Sequence, residues 1–333
     1  MLRDLPLDEL RQYRPAVQEP ADFDEFWASE LAAAAASDAG PVFAPAQTQI
    51  QHADVIDVTF PGYAGDPIKG WLLLPHESPA DRAFVVEYIG YGGGRGDPFE
   101  WLTWSCAGHP HLIMDTRGQG GGWRSADTPD PSDPGTPSTP GFLTRGVADP
   151  RTHYYTRLFI DAAQAVAAAR QHPASAGRPL VTTGGSQGGA LAIVAAHLAG
   201  AAGGPVDAAL PEVPFLAHFR RAVEVTDSRP YAELIEYLSV HRGEVDRAFG
   251  TLSYLDVVNH AKRATARALF AVGLVDDITP ASTVFAAFNH YAGPKQIEVY
   301  PFNGHDGGGT QHFLAKLAFL ATLPGAPGRP PGP

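Results

Sequence analysis

Between Leu180 and Ala196 the chain passes from an apolar run, Leu180-Val181-Thr182-Thr183, through Gly184-Gly185-Ser186-Gln187-Gly188, into the small helix-forming residues Ala190-Leu191-Ala192-Ile193-Val194-Ala195-Ala196. A β-rich run, a turn of a few residues and a helix leave the backbone little choice: strand, tight turn, helix. In that context a G-x-S-x-G sequence forms a nucleophile elbow, a strained turn from which the serine hydroxyl projects. The flanking glycines serve the geometry, because a Cβ there would crowd the backbone. In a chain with 36 glycines the pentapeptide alone decides little, so the reading of Ser186 depends on whether partners exist elsewhere.

The same pattern of short buried runs separated by helical stretches extends along much of the chain. Phe84 to Ile89, Leu112 to Asp115, Leu180 to Thr183, Ala208 to Val213, Ala268 to Val272 and Ile297 to Tyr300 read as strands of a parallel sheet covered on both faces. Helices are predicted over Thr156 to Gln171 and Thr310 to Leu323, the latter with Phe313, Leu314, Leu317 and Leu320 at core spacing. Val55 to Phe60 and Ile68 to Leu74 read as an antiparallel hairpin at a sheet edge. Six buried and two edge strands make an α/β-hydrolase fold of about eight strands, mostly parallel, with helices on both faces.

A single domain over 1–323 is expected. It has a helical extension over about 1–37, with Asp22 as cap candidate and Phe23, Phe26 and Trp27 on one face. A helical cap insertion is expected over about 215–255, above the C-terminal ends of the strands where α/β sites form. Asp127 to Pro140 reads as a surface loop and 324–333 as a disordered Pro/Gly tail.

Composition narrows the function classes. Net charge is −12, which argues against nucleic acid and anionic lipid as partners. The single cysteine, Cys106, can form neither an internal disulfide nor a metal cluster; it is expected as a small buried hydrophobe in a reducing compartment. The first residues lack the apolar segment of a signal peptide, and no apolar run approaches the ~18 residues of a membrane span. A cytoplasmic protein without metal or cofactor is the expectation.

A serine hydroxyl needs a base, and the base needs a third group to hold its tautomer. In this fold the partners follow in the order acid, then histidine. Asp276, in Gly273-Leu274-Val275-Asp276-Asp277-Ile278-Thr279-Pro280, follows a predicted strand; it comes before its competitor Asp277, and one of the two aspartates should serve as a turn and cap residue. His305, in Phe302-Asn303-Gly304-His305-Asp306-Gly307, follows the last strand, with His312 on the closing helix as its nearest rival. Two main-chain donors are expected for an oxyanion: the N–H of Gln187, next after the nucleophile, and the N–H of Tyr91 in Gly90-Tyr91-Gly92-Gly93-Gly94. Arg117-Gly118-Gln119-Gly120 reads as a loop stabiliser near the site, since an arginine cannot act as a base at neutral pH.

With these residues in place the chain resembles carbohydrate esterase family 7, the acetyl xylan esterases and cephalosporin C deacetylases. The likeness rests on Arg117-Gly118-Gln119-Gly120, on Gly184-Gly185-Ser186-Gln187-Gly188, on the opening Pro20 to Trp27, and on Gly141 to Gly146, Asp149-Pro150-Arg151, Val213-Pro214-Phe215 and Ala292 to Lys295. It covers nearly the whole chain apart from the tail. It implies a Ser186–Asp276–His305 triad with Tyr91 and Gln187 as oxyanion donors, a narrow pocket selecting acetyl groups on small acetylated substrates, and a homo-oligomer, usually a hexamer. Where that family carries His-Glu, this chain has His305-Asp306, so loop packing or subunit contacts there are expected to differ. A broader carboxylesterase or lactone hydrolase is the alternative enzyme; a silent scaffold is the non-enzyme reading, and it lacks its signature, a missing triad member.

Overall fold

Along the strand Phe84–Tyr88, successive side chains enter different cores. Phe84, Val86 and Tyr88 pack in one cluster, Val85 in another with Val181, Leu210 and Leu269. Alternation of this kind, with both sets apolar, requires a sheet covered on both sides. The computed structural model, which describes residues 4–36, 39–132 and 138–323, has that arrangement.

Two helices, α1 (Leu7–Gln12) and α2 (Phe23–Ala35), lead into β1 (Val42–Pro45), β2 (Ala53–Pro61) and β3 (Pro67–Pro75). Strands and helices then alternate through β4 (Phe84–Tyr88), α3 (Leu102–Cys106), β5 (His111–Met114), α4 (Tyr154–Gln171), β6 (Leu180–Gly185), α5 (Gln187–Ala201) and β7 (Ala208–Glu212). Helices α6 (Phe219–Val225), α7 (Tyr231–Val240), α8 (Val245–Leu255) and α9 (Val257–Ala261) separate β7 from β8 (Arg267–Gly273), before α10 (Ala281–His290), β9 (Lys295–Tyr300) and α11 (Gly309–Leu320).

The nine strands form one sheet in the order β1-β2-β3-β5-β4-β6-β7-β8-β9. The first three strands are antiparallel, and β3 joins β5 antiparallel; from β5 to β9 every pairing is parallel. Helices α4 and α5 contribute to the larger core, and the end of α11 to the opposite one. This is the α/β-hydrolase fold. Its register aligns Tyr88 with Gly184 and Gly185 with Glu212, so the loops after β4, β6 and β7 emerge side by side.

Five of the six strands expected to be buried are so, and the hairpin forms; β9 forms as well but lies at the sheet edge with no buried side chain, and the described residues make nine strands rather than eight. The extra one is β1, four residues at the outer edge with mostly exposed side chains, too short and too wet to carry an alternation. The N-terminal segment holds two helices instead of one continuous helix, because Pro15 and Pro20 fall between them. Phe23, Phe26 and Trp27 are buried as expected. Asp22 stands at the N-cap of α2 without capping it; its carboxylate accepts instead from the Tyr254 hydroxyl at 2.5 Å.

On α11, Leu314 is 54% exposed while His312, Lys316, Phe319 and Leu320 are buried, as is Leu323 just beyond the helix. The buried stripe has helical spacing but begins with two polar residues. The Lys316 ammonium reaches Thr183 Oγ1 at 2.9 Å and the Glu212 carboxylate, which is how a lysine can sit inside. The segment from Asp127 is not a mere surface loop, for Thr128 and Asp130 are buried and bonded to Asp115 and Arg157. Cys106 is exposed, not buried. The tail 324–333 lies outside the described residues.

Helix α5 lies close against the sheet at Gly188, where a Cβ would lie 2.1 Å from the Tyr88 carbonyl oxygen. A backbone oxygen cannot step aside, so α5 would have to lift from β4. Gly188→Ala should therefore destabilise the protein by about 1–3 kcal/mol, read as a lowered urea midpoint at unchanged slope.

Candidate active site

The turn between β6 and α5 places Ser186 at φ 58°, ψ −117°, a conformation costly for any residue with a Cβ. Three backbone hydrogen bonds hold it. The Ser186 N–H donates to the Glu212 carbonyl at 2.9 Å, and the Ser186 carbonyl accepts from the N–H groups of Ala190 and Phe215, each at 3.0 Å. Gln187 opens α5, so the serine stands at the partially positive end of a fifteen-residue helix.

After β8 the chain turns at Asp276, whose carboxylate has no solvent exposure. One oxygen accepts from the N–H groups of Ile278 (2.8 Å) and Thr279 (3.0 Å). The other accepts from the Thr279 hydroxyl at 2.8 Å and from His305 Nδ1 at 2.9 Å. With Nδ1–H committed to the carboxylate, Nε2 is left as the unprotonated nitrogen of the neutral ring. Asp277, the competing aspartate, is exposed and its carbonyl accepts from the Thr226 hydroxyl. His312 is fully buried against the Tyr300 hydroxyl at 3.2 Å, and burial pushes it down to about 3; it stands apart from Asp276.

Ser186 and His305 face one cavity of about 520 Å³, whose wall also includes Tyr91, Trp123, Arg229 and Ile278. Among the described residues the main-chain N–H groups of Tyr91 and Gln187 meet no protein acceptor. The structure thus brings Ser186, His305 and Tyr91 to one cavity, with Asp276 behind His305 and Gln187 beside Ser186.

Beneath the cavity lies a polar scaffold that Arg117 to Gly120 anchors. The Gln119 amide accepts from the Gly92 N–H at 2.6 Å and donates to Gln187 Oε1 at 2.8 Å. The Gln187 side chain in turn donates to the Ile89 carbonyl at 3.0 Å and accepts from the Tyr155 hydroxyl at 2.9 Å. Tyr154 donates to the Arg117 carbonyl at 2.6 Å. Arg117, without solvent exposure, forms a two-pronged pair with Asp161 at 2.5 and 2.8 Å and reaches Asp66 at 2.9 Å. Burial alone would lower the guanidinium pKa; the charge and hydrogen bonds of Asp161 outweigh it and hold it above its ordinary value. The loop-stabilising role expected of this motif is what the contacts describe. Among the described residues no group of three or more His, Cys, Asp or Glu could hold a metal ion, and no helix is long and apolar enough to cross a membrane.

The family model described as acetyl xylan esterase (AXE1) matches residues 1–323. The chain belongs to the acetyl xylan esterase family. Members are carboxylic ester hydrolases. The acetyl xylan esterase from Paenibacillus sp. R4 superimposes with a TM-score of 0.85 at 36% identity, covering 96% of this chain and 100% of that one. Acetyl xylan esterase 1 from Thermoanaerobacterium sp. JW/SL YS485 gives 0.84 at 30% identity, covering 95% and 98%. Acetyl esterase Axe7A of Xylanibacter ruminicola is 27% identical over 165 residues, half of this chain but only 36% of that protein's length.

Within this acetyl xylan esterase scaffold several residues carried no sequence signal. Thr279 doubles the support of Asp276 from a position that reads as ordinary loop. Trp123, 57% exposed at the cavity, donates its indole N–H to the Tyr91 carbonyl at 2.9 Å. Asp161, the partner of Arg117, sits inside a helix where a lone carboxylate would be read as solvated. Because that pair is wholly buried, Arg117→Leu should strand Asp161 without a counter-charge and lower stability by about 3–5 kcal/mol, measured by equilibrium urea unfolding.

Proposed function

We propose that this protein is a serine esterase that removes acetyl groups from small acetylated compounds, such as acetylated xylo-oligosaccharides and the acetyl ester of cephalosporin C. The observation that carries the reading is the 2.9 Å bond from His305 Nδ1 to a carboxylate of Asp276, behind a cavity that His305 shares with a strained serine.

In this reading Nε2 of His305 takes the proton as Ser186 Oγ attacks the ester carbonyl. The N–H groups of Tyr91 and Gln187 receive the developing oxyanion, each worth roughly 3 kcal/mol in the transition state. Asp276 holds the imidazole and stabilises its protonated form. His305 then delivers the proton to the leaving alkoxide, breaking the ester bond and leaving acetyl on Ser186. Water, deprotonated by the same nitrogen, attacks the acetyl-enzyme; acetate departs and Ser186 recovers its proton. The Gly-rich loop from Gly90 to Gly94 carries Tyr91 to the cavity wall, and the family likeness supports a short acyl pocket and a hexameric assembly.

Initial rates on p-nitrophenyl acetate, butyrate and octanoate test the substrate class. The expected result is strong hydrolysis of acetate with a steep fall as the acyl chain lengthens; similar rates on all three would replace it with a general carboxylesterase. For the mechanism, Ser186→Ala should lower kcat by about 10⁶-fold and Asp276→Asn by about 10⁴-fold, both with an unaltered circular dichroism spectrum. Normal turnover by Ser186→Ala would overturn the assignment.

A further inference from the structure

Glu233, in the first turn of α7, belongs to none of the groups that act on the ester in the mechanism above, yet it is 5% exposed and borders the cavity. Its carboxylate is fully engaged. One oxygen accepts from the Tyr91 hydroxyl at 2.5 Å and the Gly141 N–H at 3.0 Å; the other accepts from the Leu143 N–H at 3.2 Å. The Tyr91 hydroxyl itself accepts from the N–H groups of Gly141 and Phe142, each at 3.0 Å. Burial, reinforced by the Glu233 charge, pushes the phenol well above its ordinary range, so Tyr91 remains a donor to Glu233.

The backbone around Tyr91 is held just as closely. Its carbonyl accepts from Trp123 Nε1 at 2.9 Å, the following N–H of Gly92 is taken by Gln119, and the preceding carbonyl of Gly90 accepts from the Gly93 N–H at 3.2 Å. The peptide planes on both sides of Tyr91 are therefore pinned, and its ring is pinned at the far end by Glu233. The group left over is the Tyr91 N–H. A donor serves an oxyanion only where it already points when the charge develops.

We infer that Glu233 is a positioning residue for ester cleavage: by holding the hydroxyl end of Tyr91 it completes the set of bonds that fix this residue and with it the direction of the Tyr91 N–H, and so ties the helical segment between β7 and β8 to the rate of the chemical step. The inference rests on the proposed role of Tyr91 as an oxyanion donor. It assigns Glu233 no contact with the substrate. Its carboxylate matters because three donors converge on it; an amide of the same shape would turn an N–H₂ group toward one of them.

The test compares Tyr91→Phe, Glu233→Gln and the double variant with Ser186→Ala, on p-nitrophenyl acetate, alongside inhibition by a trifluoromethyl ketone that mimics the tetrahedral intermediate. Tyr91→Phe keeps the ring and its packing, so it carries the test even if the Glu233 variant folds poorly; thermal unfolding checks both. Each single variant should lose about 10²-fold in kcat, the cost of a small misplacement, with KM within about twofold. The ketone should weaken in parallel, and the double variant should be no worse than the poorer single one, since both remove the same link. Unchanged kcat in folded Tyr91→Phe, losses that multiply in the double variant, or a raised KM at full kcat would each overturn the inference. Turnover by Ser186→Ala would instead sink the serine mechanism on which it rests.

Discussion

A single guanidinium, that of Arg117, anchors the polar scaffold beneath the cavity. Sealed from water, it must be paired, and Asp161 from α4 pairs it with two parallel hydrogen bonds while Asp66 closes a third side. That contact locks the strand-end loop after β5 to the helix beneath it and to the hairpin turn between β2 and β3. From the locked loop the Gln119 amide reaches outward to Gly92 and to Gln187. The two backbone segments flanking the serine, one from the loop after β4 and one from the start of α5, are thus braced by one buried side chain that is itself braced by an ion pair. The rigidity of these two segments originates in a buried charge pair beneath the cavity.

The order of supports also separates what is strained from what is relaxed. Ser186 holds an unfavourable backbone angle, and the cost is met by bonds to three different elements: Glu212 at the end of β7, Ala190 in α5 and Phe215 after β7. His305, by contrast, sits in a glycine-bordered loop and has its Nδ1 oriented by Asp276. Ser186 is the rigid partner, and His305 reaches the cavity from a loop anchored through a carboxylate that four donors hold.

Elements defined by local regularity were legible in the sequence. Buried parallel strands must be apolar at nearly every position, and the elbow must have glycines, so both stand out without an alignment. The order of the proposed triad was read from chain position alone, although the choice between Asp276 and Asp277 became physical only when one carboxylate proved buried and bonded to His305. What was missed shares a different property: the signal lies in the partner. Lys316 is buried because Glu212 and Thr183 await it, and Leu314, off that buried stripe, is exposed. Thr128 and Asp130 look like loop residues until Asp115 and Arg157 are opposite them. Glu233 is one acidic residue on a short helix, and nothing local distinguishes it from Glu236 three positions later, which is exposed and paired with Arg229.

The exposure of Cys106 has a practical reach. It is the only thiol of the chain, and it lies just before β5 begins, whereas the cavity opens beyond the C-terminal ends of the parallel strands. Bulky thiol-reactive reagents therefore have a single attachment point, set at the far end of the sheet from the serine. A fluorophore or a surface tether placed there would report on, or immobilise, the molecule with its cavity left facing outward.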